Sequence, residues 1–123
     1  MLVPHTGWAA IRGRYEDLAR NGHDAEPFLR LLTWIRDEKL EEEIFAHTSM
    51  FDLVISDRPE VRSGENTLRL SLDPKKRIMH FRYNRLFGST DVMEKAVSIE
   101  DSVETLREFL AYKFGVHRNK KNA

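Results

Sequence analysis

His47, Thr48, Ser49 and Asp52 crowd into six positions and carry the side-chain types a nucleophilic hydrolase uses. Such chemistry needs a base within hydrogen-bond reach of a hydroxyl, and a third group that orients the base. His47 and Ser49 are two apart, so on a strand they share a face. No G-x-S-x-G elbow surrounds Ser49, and that sharp turn is what exposes a serine nucleophile in the hydrolases that use one. Thr48 and Ser49 also serve as ordinary residues at a strand start.

A second pattern pairs Asp52 with the triplet Asp73-Pro74-Lys75. It faintly resembles the metal-dependent nuclease arrangement, in which two acids hold Mg²⁺ and a Lys assists the attacking water. In that arrangement the triplet lies within a strand. Here Pro74 separates acid from Lys, and the triplet reads as a turn. The five histidines, His5, His23, His47, His80 and His117, show no i, i+4 pair and no H-E-x-x-H, so no metal site is expected. Gly88-Ser89-Thr90 is a small-residue loop with no Lys-bearing helix after it, so no phosphate cradle is expected. No catalytic residue, metal or cofactor is assigned. A small hydrolase or metal-dependent nuclease stands as the last of three functional readings.

Recognition chemistry is better supported. Asn66 to Leu72 alternates, with Leu68, Leu70 and Leu72 on one side; Arg77 to Asn84 alternates, with Met79, Phe81 and Tyr83 on one side. Asp73-Pro74 between them is type I turn chemistry. Pairing Asp73 with Lys76 predicts Leu70 opposite Met79 and Leu68 opposite Phe81. The other face then carries Ser71 beside Ile78, Arg69 beside His80 and Thr67 beside Arg82, with Asp52 on the corresponding face of an earlier strand. An antiparallel sheet commonly leaves one face in water, which alone accounts for such residues. As a binding surface, the arginines offer planar donors and His80 a pH-sensitive contact. Asp52, Arg69, Ser71, His80 and Arg82 are therefore the expected partner-binding residues, joined by the acidic stretch Glu41 to Glu43.

The elements that must position them follow from hydrophobic spacing. Trp8, Ile11, Tyr15 and Leu18 make one helical face, with Thr6 as cap and Asn21-Gly22 as stop. Pro27 suits the first turn of a second helix, whose stripe is Phe28, Leu31, Leu32 and Ile35, with Leu40 and Ile44 as a continuation. Trp34 lies off that stripe; it is either the margin of a wide core face or a homodimer contact. Met50 to Ser56 predicts a strand with Phe51, Leu53 and Ile55 inward. Asp57 to Gly64 reads as loop. Phe87 to Thr90 also reads as loop, and Lys95-Ala96-Val97 is a candidate edge strand. Ser98 with Asp101 caps a last helix bearing Val103, Leu106, Phe109, Leu110 and Phe114, stopped by Gly115.

The expected fold is α+β: two layers, a three- or four-stranded antiparallel meander, and two N-terminal helices plus one C-terminal helix on one face. Residues 1–116 are expected to form the single domain, and 117–123 a basic frayed tail.

Composition agrees. A chain of 123 residues with 41% hydrophobic and 33% charged residues is enough for one core. No cysteine is present, which removes disulfides, zinc ribbons, thiol nucleophiles and iron–sulfur sites. No apolar run nears the roughly 18 residues of a membrane span, and the opening residues do not read as a signal peptide. A cytoplasmic location with no membrane partner is expected. The zero net charge conceals asymmetry. Asp37 to Glu60 holds eight acids against two bases, and Arg62 to Leu86 holds seven bases against two acids.

Together these features point to a non-enzymatic protein-interaction module: a small inhibitor, an immunity-type protein or an adaptor. Its partner would be another protein, with a homodimer as one form of that. The second reading is a weak nucleic-acid binder using Lys75, Lys76, Arg77, Arg118, Lys120 and Lys121. Phe81 and Tyr83 point inward on this register, so they offer no stacking platform for bases.

Overall fold

Ile11 and Tyr15 are buried on the first helix, α1 (Trp8–Arg20), because their spacing sets them on one stripe. The computed structural model describes residues 2–62, 65–84 and 92–118. Gly7, not Thr6, is the N-cap of α1, with φ of 101°. Thr6 instead donates its backbone N–H to the Ala46 carbonyl (2.9 Å). Asn21 ends the helix, and Gly22 takes the left-handed conformation at φ 88°. Helix α2 (Glu26–Asp37) carries Pro27 in its first turn and buries Phe28, Leu31, Leu32 and Ile35. Leu40 and Ile44 do not extend it. The chain turns at Lys39, which has φ of 57°, and both residues are fully buried outside any helix. Trp34 packs against the core, as a wide core face requires.

The sheet has five antiparallel strands rather than three or four. They are β2 (Phe45–Ser49), β3 (Asp52–Ser56), β5 (Thr67–Asp73), β6 (Ile78–Asn84) and β7 (Val92–Ser98), in the spatial order β2-β3-β5-β6-β7. A separate two-stranded ribbon joins β1 (Leu2–Pro4) to β4 (Glu60–Arg62). β4 lies where a loop was expected. The expected strand from Met50 to Ser56 is the second half of a hairpin: Ser49 pairs with Asp52 across a two-residue turn, Met50-Phe51. Phe51 is therefore not inward; it is half exposed at the turn. The edge-strand reading of residues 95–97 is met by the longer β7, and the loop reading of Phe87 to Thr90 lies outside the described residues.

The β5–β6 hairpin departs from the expected register. Asp73 pairs with Ile78, not with Lys76, so four residues (74–77) form the connection. Asp73 Oδ1 accepts the N–H groups of Lys75 and Lys76 (3.1 Å each), and Arg77 at φ 55° re-enters the strand. The left-handed Arg77 closes this four-residue connection. Leu70 now opposes Phe81, Leu68 opposes Tyr83 and Leu72 opposes Met79. The pairing is offset by two residues, an even number, so each side chain keeps the face assigned to it.

That inward face, Leu53, Ile55, Leu68, Leu70, Met79, Phe81 and Tyr83, forms one core cluster with buried residues of all three helices. Tyr15 stacks on Phe28 at 4.6 Å, and Phe81 on Phe109 at 5.6 Å. Ser98 precedes a 3-10 turn (Ile99–Asp101) and donates to Asp101 Oδ2 (3.0 Å). Helix α3 (Ser102–Phe114) follows, ended by Gly115 at φ 68°.

Candidate functional site

The strands β2, β3, β5, β6 and β7 place one residue each into a row across the outer face of the sheet: His47, Val54, Arg69, Arg82 and Glu94. A neighbouring row holds Ser49 opposite Asp52, and Ser71 opposite His80 and then Ala96. The five expected residues Asp52, Arg69, Ser71, His80 and Arg82 thus lie together on one face. Three expected neighbour pairs change with the register. Arg69 opposes Arg82 rather than His80, Ser71 opposes His80 rather than Ile78, and Thr67 opposes Asn84 rather than Arg82.

The electrostatics follow from that correction. Like charges directly opposite on a sheet repel. Here each guanidinium is drawn outward by its own acid. Arg69 Nε donates to Asp52 Oδ2 at 2.7 Å, and Arg82 lies 3.5 Å from Glu94. The face therefore reads acid, Arg, Arg, acid across the strands. The two arginines occupy the middle positions, opposed across β5 and β6, each engaged by the acid on its far side. Arg69, Ser71, His80, Arg82, Glu94 and Ala96 line an open concavity of about 520 Å³ on this face. The sequence reading did not include Glu94. Val92 to Ser98 (V-M-E-K-A-V-S) does not alternate apolar with polar residues, so only its last residues read as strand.

His47 belongs to the same surface. Burial, and then the nearby Arg69 guanidinium, lower its pKa from the ordinary 6.5. His47 and Ser49 share a face, as their spacing requires. Asp52, however, is engaged by Arg69 rather than orienting a base. Asp73, the other acid of the nuclease-like pattern, uses Oδ1 to hold the turn backbone. Among the described residues, no group of three His, Asp or Glu side chains gathers in a way that could hold a metal ion. None of the described helices is long and apolar enough to cross a membrane.

The basic residues of the alternative reading are dispersed. Lys75, Lys76 and Arg77 sit at the β5–β6 turn, with Arg77 3.9 Å from Asp24. Arg118 donates to the Glu38 carbonyl (3.1 Å) and pairs with Glu43. Part of the acidic stretch is thereby neutralised internally. Lys120 and Lys121 lie outside the described residues. A larger concavity, about 650 Å³, runs between β7 and α3 along Met93, Phe109, Ala111 and Tyr112. It is mainly apolar, and its charged rim pairs Lys95 with Glu108 at 3.6 Å. The polar grouping that could orient a partner is on the other face. Comparison with known protein families, with curated protein sequences and with solved structures finds no match to this chain.

Proposed function

We propose that this chain is a non-enzymatic protein-interaction module that binds a partner protein through the outer face of its sheet. The observation that carries this reading is the Arg69–Arg82 pair, directly opposed on β5 and β6 and flanked by Asp52 and Glu94. Each guanidinium is a planar donor that suits a carboxylate, and the two arginines are opposed across β5 and β6. A partner's Asp or Glu placed between them would relieve their mutual repulsion. Ser71 and His80 supply further polar contacts within the same concavity. The surrounding ion pairs are exposed and individually weak, so they orient the partner more than they hold the fold together.

The test is affinity capture of the intact chain from its native lysate, with and without nuclease, read by mass spectrometry. One stoichiometric protein that persists after nuclease, and is lost from the Arg69→Gln/Arg82→Gln variant, is the expected result. Hits that vanish with nuclease would move the reading to nucleic acid. Capture unaffected by the double substitution would remove the sheet face from the account.

A further inference from the structure

The turn between β2 and β3 breaks a local rule. A two-residue hairpin turn with positive φ at its first residue normally carries Gly, Asn or Asp there. This one carries Met50, at φ 56°. A non-glycine residue in that region is strained, and strain of this kind persists where the surroundings enforce it. Its side chain gains no burial in exchange: Met50 is 79% exposed and Phe51 51% exposed.

Helix α1 supplies the enforcement. Arg14 Nη2 donates to the Met50 carbonyl at 2.7 Å, and the buried Tyr15 donates its hydroxyl to the Phe51 carbonyl at 3.0 Å. Successive helix residues thus hold successive turn carbonyls. The Phe51 ring also rests against His23 at 5.3 Å. The backbone is fixed from below while two large apolar side chains face solvent. That combination lowers the ordering cost of binding and suits a central anchor in an interface.

We propose that Met50 and Phe51 form a preorganised apolar knob that seats in an apolar pocket of a protein partner, with carboxylates at the pocket mouth. The acidic mouth follows from the cations nearest the knob, since Asp24 and Asp52, which line the same hollow as Phe51, are paired with Arg77 and Arg69. Arg14 lies beneath the knob, and Lys75 and Lys76 stand on the adjacent turn at the same end of the sheet, where Phe51 and Pro74 line one small hollow. A protein is favoured over an anionic lipid surface for two reasons. Among the described residues, Met50 and Phe51 are the two large apolar side chains that project at this end. The Glu100-Asp101 turn, which follows the β7 end paired to Ile78, lies at the same end and would face a lipid plane unfavourably. The inference rests on the protein-interaction reading, since Ser49 and Asp52 join the knob directly to the polar face.

The experiment places a photoreactive aliphatic diazirine residue at position 50 of the intact chain. Irradiation in a native lysate that retains membranes is followed by mass spectrometric mapping of the adducts. The expected adduct falls on one protein, at an apolar residue with Asp or Glu nearby. With that protein purified, Met50→Gly should weaken binding at least tenfold while raising the melting temperature, because glycine relieves the positive φ. A merely structural turn would show the rise without the loss. Lys75→Gln with Lys76→Gln should weaken binding and flatten its salt dependence. Adducts on lipid or nucleic acid, no adduct, or wild-type affinity in Met50→Gly would each overturn the knob. If Arg69→Gln/Arg82→Gln leaves affinity intact while Met50→Gly abolishes it, the polar-face reading fails and the knob stands; the reverse pattern has the opposite meaning.

Discussion

Arg69 and Arg82 face one another across β5 and β6 with the same charge, and the arrangement holds because each has an acid on its far side. His47 lies in the same row, beyond Val54. Burial and Arg69 both disfavour its protonated form in the folded chain, so its pKa lies below the ordinary 6.5. The unfolded chain therefore binds a proton at a higher pH than the folded chain does. The linked stability is fully present above about 6.5 and is lost as pH falls toward the folded value. Melting temperature should accordingly drop from pH 8 to pH 5, and the drop should be smaller in His47→Gln than in the parent. Equal drops in the two proteins would show that His47 is not depressed. Tyr15 works in the opposite sense. Burial first, and Asp52 second, raise its hydroxyl above the ordinary 10, so the stability it contributes falls away as the solution becomes strongly alkaline.

At the scale of elements, the outer edge of the sheet at β2 is managed by the N-terminal segment. Ala46 gives its N–H to the His5 ring Nδ1 (2.8 Å) and accepts the Thr6 N–H at its carbonyl (2.9 Å). This occupies backbone groups that would otherwise template pairing with another chain. The opposite edge, β7, carries Glu94 and Lys95, charges of the kind that discourage such pairing. The β5–β6 turn sets which arginines oppose. Its cap is Asp73, which accepts two backbone N–H groups. Asp73→Ala should destabilise the chain by about 1 kcal/mol, the scale of net hydrogen-bond contributions. Denaturant unfolding should show a lower midpoint at unchanged slope. A midpoint equal to the parent's would mean that the Asp73 side chain does not hold the turn.

Across the whole molecule, some of this organisation was legible in the residues and some was not. The three helices were visible because their apolar spacing is 3.6-periodic and Gly22 and Gly115 mark two of the ends. The polar face was visible because strand alternation survives a two-residue register error: Asp52, Arg69, Ser71, His80 and Arg82 reach one surface under either pairing. The opposition of Arg69 to Arg82 was not, since it depends on the left-handed Arg77, and nothing about an arginine signals that conformation. β2 was hidden for a related reason. Met50-Phe51 is not turn chemistry, so β2 and β3 did not read as a hairpin. Leu40 and Ile44 are core residues held by tertiary packing rather than by any helical period. The largest feature the residues concealed, a strained apolar tip beside a polar sheet face, is also the one least explained by stability.

The most direct test of the account is a titration of the purified partner against the intact chain and Arg69→Gln/Arg82→Gln, at low and moderate salt, with both melting curves recorded. The account predicts a partner affinity at least tenfold weaker in the variant and a weaker salt dependence. It also predicts a melting temperature close to the parent's, because these ion pairs are partly exposed and worth little to stability. A variant that melts like the parent and binds like the parent would contradict it.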